Sequence, residues 1–262
     1  MSLSPIRLKH PIVLVHGLGA KSFGPFDYFY GLPKLLREAG NQVIIPQLAA
    51  WHTIEYRANQ LKQQMIEKLP EGKFNLIGHS LGGLDARYLT SCLGLAERVA
   101  SVTTIGTPNR GSILSDLASG LSRGTMTGAA WGAISSIDRM TSVLGISFGA
   151  LKQVSCRNFE ESLNIQMPDM QGVGYFSATS AIADPCRNNA LPLFWGTHGI
   201  LKKHEGDNDG YVSVTSAQWG HHICTYSGDH YAQIGHLLGR TRGMDYLRFY
   251  GEIFSYLKKQ GY

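Results

Sequence analysis

The chain has 262 residues, 43% of them hydrophobic, which excludes disorder or coiled coil as its main class. Charged residues are only 16%, against a usual figure of about 25%, and 31 Gly imply many tight turns. The net charge of +5 is spread out, with no basic cluster longer than Lys202-Lys203 or Lys258-Lys259, so no nucleic-acid groove is expected.

Taken in chain order, Pro11 to His16 reads as a buried strand that ends in a Gly turn. Pro33 to Ala39 reads as a short helix, with Pro at its start and Gly40 just past its end. Val43-Ile44-Ile45 is the next strand, closed by Pro46. Thr53 to Leu69 is a helix: Ile54, Ala58, Leu61, Met65 and Leu69 keep the helical period, and Glu55 and Lys68 sit at the ends that suit their charges. Phe74 to Ile77 is a third strand, Leu81 to Leu93 a helix with Leu84, Tyr88, Leu89 and Cys92 on its apolar side, and Val99 to Ile105 a fourth strand. Strands alternating with helices predict an α/β protein with a mostly parallel central sheet and helices on both faces.

From Gly111 to Leu151 the pattern breaks, and only Asp116, Arg123, Asp138 and Arg139 carry charge. Trp131, Ile134, Ile137, Met140 and Val143 recur every three residues, an apolar stripe on any helix there. Strand-like runs resume at Val173 to Phe176, Tyr211 to Val214 and His221 to Tyr226. One domain spanning 1–262 is expected, with 111–170 inserted over the sheet. The longest uncharged run, Gly210 to Gly228, contains Gln218, His221 and His222 and is too polar to span a bilayer. No leader of the secretory pattern precedes the strand at Ile12; the compartment stays open, with secretion favoured over the cytoplasm. Cys92, Cys156, Cys186 and Cys224 form no CxxC pair, so a zinc site is not expected; one disulfide among the last three and free thiols both stay open.

The pattern G-x-S-x-G occurs around Ser80, Ser122 and Ser147, and in a chain this rich in Gly the bare pattern says little. The chemistry needs Ser on a sharp strand-to-helix turn, and only Ser80 has a strand before it and a helix after it. That turn aims the backbone N–H of Leu81, at the helix start, toward a developing oxyanion. A Ser hydroxyl is inert without a base and an orienting acid, which follow in the order Ser, Asp or Glu, His in this architecture. Asp209 is assigned as the acid, with Asp207 its nearest rival, and His230 as the base, after the last strand-like run. His79 sits beside the nucleophile, His221 and His222 lie within a strand, and His198 and His236 are less well placed. The second oxyanion donor is the N–H of Leu18, in the Gly-flanked loop after the first strand.

These residues resemble the true lipases of the α/β-hydrolase fold, in particular bacterial triacylglycerol lipases. The resemblance rests on Pro11 to Gly17, Asp27 to Pro33, Asn75 to Gly83 and Asn208 to Gly210, with support from Thr104 to Ser112 and Arg57 to Leu61. It implies Ser80, Asp209 and His230 as catalytic triad, Leu18 and Leu81 as oxyanion donors, and Arg57 as a support behind the oxyanion loop. It also implies a lid helix within Gly111 to Leu151 and a lipid or ester substrate met at a lipid–water interface. Many members hold a structural calcium through an acidic residue two positions after the His; here that position is Ala232, followed by Gln233 and later His236, so neither metal nor cofactor is expected. The family's usual disulfide spacing is not reproduced by Cys186 and Cys224, and the short insertion points to a smaller lid. The expected activity is cleavage of acylglycerol-type esters through an acyl-enzyme. The alternatives are a carboxylesterase of short soluble esters, and an acyltransferase or phospholipase with the same triad. A silent binding module would have lost a triad member, and a metal-dependent hydrolase would carry HExxH or clustered carboxylates, which this sequence does not.

Overall fold

The computed structural model describes residues 6–19, 27–118, 153–155, 162–183, 193–236, 238–239, 241 and 243–262. The stripe from Trp131 to Val143, Ser122, Ser147, and most of the expected insertion lie outside these residues.

Six strands are described: β1 (Ile12–Val15), β2 (Val43–Ile44), β3 (Phe74–His79), β4 (Val99–Ile105), β5 (Gly174–Ala181) and β6 (His221–Ser227). They form one parallel sheet in the order β2-β1-β3-β4-β5-β6. The described α-helices of four or more residues are α1 (Leu32–Glu38), α2 (Ile54–Lys68), α3 (Leu81–Cys92), α4 (Ile113–Ala118), α5 (Leu193–His204), α6 (Val214–Ala217) and α7 (Tyr246–Lys259).

Side-chain alternation on the strands explains the layers. Ile12 and Leu14 of β1 face one way and pack with Leu32 and Leu36 of α1 and Phe249, Ile253 and Phe254 of α7. Val13 and Val15 face the other way and pack with Leu61 and Met65 of α2 and Ala86 and Leu89 of α3. All four β1 side chains are fully buried, which is why the strand reads as a continuous apolar run. Each such side chain contributes about 1.5–3 kcal/mol of burial free energy. The helix ends follow the expected chemistry: Thr53 caps α2 by accepting from the Tyr56 N–H, and Asp245 caps α7 by accepting from the Arg248 N–H.

One expectation needs correction, and one open alternative is decided at Cys224. Tyr211 to Val214 is not a strand. Asp209 Oδ1 accepts from the N–H groups of Tyr211 and Val212 and folds the segment into a turn, and Ser213 then caps α6 through the Ser216 N–H. Cys224 is a free thiol, as is Cys92, so no disulfide runs through Cys224; Cys156 and Cys186 lie outside the described residues. Among the described residues no helix is long and apolar enough to cross a membrane.

The topology already selects a place for a site. The chain leaves β1 for α1 on one face, whereas it leaves β3 for α3 on the other. The loops after these adjacent strands therefore diverge at their carboxyl ends, where parallel sheets open a crevice.

Candidate active site

Ser80 stands between β3 and α3 with φ 55° and ψ −129°, a conformation non-Gly residues rarely adopt. The strain is held by the Ser80 N–H donating to the Ile105 carbonyl at 2.8 Å and by the Thr107 hydroxyl donating to the Ser80 carbonyl at 2.8 Å. The flanking glycines are required by close approach. A Cβ on Gly78 would stand 2.5 Å from the Gly83 Cα, and one on Gly82 would strike the Val15 carbonyl. Leu81, first residue of α3, has one of the backbone N–H groups that a helix start leaves without an intrahelical acceptor.

Asp209 and His230 come from turns after β5 and β6. His230 Nδ1 donates to Asp209 Oδ2 at 2.7 Å, and the His230 N–H donates to the Asp209 carbonyl at 2.8 Å. Asp209 Oδ1 is held by the Tyr211 and Val212 N–H groups at 2.9 and 2.7 Å, so both carboxylate oxygens are fixed. Nδ1–H bound to the carboxylate leaves the lone pair of the neutral ring on Nε2, the arrangement a general base needs. The imidazole is further walled by Tyr211, whose ring lies edge-on at 5.3 Å.

The loop from His16 to Gly19 is tied at both ends. The His16 carbonyl accepts from Arg57 Nη2 at 2.6 Å, and the Gly19 N–H donates to the Ala50 carbonyl at 2.7 Å. His16 Nδ1 donates to the Gly17 carbonyl, so its Nε2 accepts from the Leu48 N–H. Arg57 is fully buried; its other donors reach the Ala49 carbonyl at 2.5 Å and Asp85 Oδ2 at 2.9 Å. Burial pushes the Asp85 carboxyl up to about 6, against the opposing pull of Arg57.

Leu18, Leu81, Ser80 and His230 all line one cavity of about 380 Å³, whose remaining wall is largely apolar and includes Trp51, Leu114, Val154 and Tyr231. Leu114 and Val154 both belong to the expected insertion, 111–170. An apolar pocket with a few convergent polar groups is the usual form of a small-ligand site.

Residues 10–183 match the family described as alpha/beta hydrolase fold. A triacylglycerol lipase of Vibrio cholerae is 32% identical, covering 89% of this chain and 82% of its own. The chain belongs to the lipase family of α/β hydrolases. A triacylglycerol lipase of Pseudomonas fragi is 29% identical over 98% of each chain. The crystal structure of Staphylococcus hyicus lipase shares the fold, with a TM-score of 0.71 at 19% identity, covering 96% of this chain and 97% of that one.

In this lipase-family chain the rival residues lie elsewhere. Asp207 is exposed and paired with Lys202. His198 is buried but spent on Asn208, its Nδ1 donating to Oδ1 at 3.0 Å. His221 stacks on Tyr256, and His222 bonds Ser177 and Thr225. His79 is fully buried: its Nε2 donates to the His230 carbonyl at 3.1 Å, and Tyr28 donates to its Nδ1 at 2.8 Å. Burial, with His230 close by, holds the His79 imidazole well below its ordinary value, so it stays neutral.

Sequence reasoning missed Asp85, Tyr28, Thr107 and Gln233. None has a local signal, because each acts across a sequence separation of 24 or more residues. The residues after His230 also do not fit calcium: Ala232 is apolar, Gln233 is turned inward, and His236 offers imidazole where a hard cation wants oxygen. Among the described residues no cluster of three or more His, Cys, Asp or Glu is placed to hold a metal.

Proposed function

We propose that this ester hydrolase cleaves acylglycerol-type carboxylic esters with Ser80 as nucleophile, His230 as base and Asp209 as orienting acid. The observation that carries the reading is the 2.7 Å contact of His230 Nδ1 with Asp209 Oδ2 beside the cavity that holds the strained Ser80. Ser80 Oγ attacks the ester carbonyl while His230 Nε2 takes its proton. The tetrahedral oxyanion is held by the N–H groups of Leu18 and Leu81; one such donor is worth about 10²–10³ in rate. Imidazolium, stabilised by Asp209, delivers the proton to the leaving alcohol and the acyl-enzyme forms. Water, giving its proton to His230, then attacks the acyl-enzyme, and His230 returns that proton to Ser80 Oγ as the carboxylic acid leaves.

The chain acts as one domain, with 111–170 as a cap over the cavity. Support comes from Leu114, Ser115 and Val154, which belong to that segment and line the cavity. The substrate is taken from a lipid–water interface. Trp195, 52% exposed, and Ile200 lie on α5, whose Phe194 packs edge-on against the cavity residue Tyr211 at 4.8 Å. An exposed Trp on that helix suits a headgroup boundary. No nucleic acid is involved.

The test is a p-nitrophenyl alkyl phosphonate, whose phosphorus Ser80 Oγ attacks with loss of p-nitrophenolate. The expected result is one stoichiometric adduct on the peptide containing Ser80, absent in Ser80→Ala. An adduct on another residue overturns the assignment.

A further inference from the structure

Gln233 is fully buried in the short turn Ala232–Ile234 that follows His230. Its Nε2 donates to Asp209 Oδ2 at 2.9 Å, the same oxygen that accepts from His230 Nδ1 at 2.7 Å. The same Nε2 donates to the Ser180 hydroxyl at 2.6 Å, which fixes the amide to β5. Its side chain also faces the buried imidazole of His79. The carboxamide occupies space that Gly106 leaves open: a Cβ there would stand 2.9 Å from Gln233 Cδ.

We propose that Gln233 is a positioning residue for ester hydrolysis: its N–H on Asp209 Oδ2 sets the direction and basicity of the carboxylate that orients His230. The inference rests on the Ser80, Asp209 and His230 reading above. With Oδ1 held by two backbone N–H groups, Gln233 is the side chain that decides how Oδ2 divides between two donors. A third donor spreads the carboxylate charge and weakens its pull on the imidazolium. The other titratable groups facing His230 are His79, with ring centroids at 4.6 Å, Tyr211 at 5.3 Å and Tyr231 at 6.0 Å. Asp229, one residue before His230, accepts from the Ala232 N–H and lies 3.9 Å from His236. The substitutions below leave all of these residues unchanged, though His79 loses its contact with the Gln233 amide.

The experiment measures pH profiles of kcat/KM on p-nitrophenyl butyrate for wild type, Gln233→Glu, Gln233→Met and Ser80→Ala. Gln233→Glu keeps the shape; buried against Asp209, its carboxyl holds a proton, and the O–H can donate to Oδ2 as the amide does. Gln233→Met keeps the bulk and removes the donor. Its kcat is expected to fall about tenfold with KM little changed, its acid limb moving up by about half a pH unit, while Gln233→Glu lies closer to wild type in both. An acid limb of Gln233→Met at the wild-type position, with or without loss of kcat, or a Gln233→Glu profile no closer to wild type than that of Gln233→Met, overturns the proposal. Ser80→Ala keeps the readings apart: if it retains activity, the nucleophile assignment itself fails, whatever the Gln233 variants do.

Discussion

At the scale of single residues, two adjacent imidazoles stand in different surroundings. His230 meets a carboxylate through Nδ1, whereas His79 meets a carbonyl and a phenol and is held neutral by burial. That difference has a consequence for stability. The native His79 value lies below the unfolded one, so as pH falls through about 6.5 the unfolded chain takes up a proton that the native chain refuses. Stability from this group is therefore complete above about pH 6.5 and declines below it, by about 1.4 kcal/mol for each pH unit. Urea midpoints at pH 7.5, 6.0 and 5.0 should fall more steeply for wild type than for His79→Gln, whose amide can still donate to the His230 carbonyl. Parallel declines would contradict the assignment of a buried neutral imidazole.

At the scale of elements, Arg57 links α2 to two loops and to α3. Its fork reaches Asp85, the Ala49 carbonyl and the His16 carbonyl, so one side chain sets where the loop carrying Leu18 stands against the start of α3. A lysine cannot reproduce three divergent contacts from a planar fork. Arg57→Lys is expected to lower kcat/KM on a soluble ester about 10–100-fold, within the worth of one oxyanion donor. Arg57→Ala leaves Asp85 buried without its cation and should cost about 3–5 kcal/mol in urea unfolding. Wild-type rates for Arg57→Lys would reduce the residue to packing. The same element shows a limit of sequence reading: Arg57 could be placed on a helix, but its burial and its partner Asp85, 28 residues later, could not.

At the scale of the whole molecule, the sheet order puts the loops after β1 and β3 on opposite faces, and the Ser80 turn and the His16 to Gly19 loop meet at that divergence. This half was legible because β1 is buried on both faces and reads as an unbroken apolar run, and because the Gly78 to Gly82 pattern stands between a strand and a helix, where its glycines are needed for close approach. Beyond β5 the signal weakens. Tyr211 and Val212 look like strand residues, yet Asp209 captures their N–H groups in a turn. β6 is only partly buried, and the sequence reading did not mark α5 or α7. Asp209 and His230 were still placed from chain order, whereas Gln233 was not, since its meaning lies in a contact across 24 residues. The measurement that bears most directly on the whole account compares wild type and Ser80→Ala on p-nitrophenyl butyrate in solution and on emulsified long-chain triacylglycerol. The expected result is wild-type cleavage of both, faster on the emulsion above substrate solubility, and loss of both in Ser80→Ala. Cleavage of the butyrate ester alone would contradict the acylglycerol and interface reading, and activity retained by Ser80→Ala would contradict the site itself.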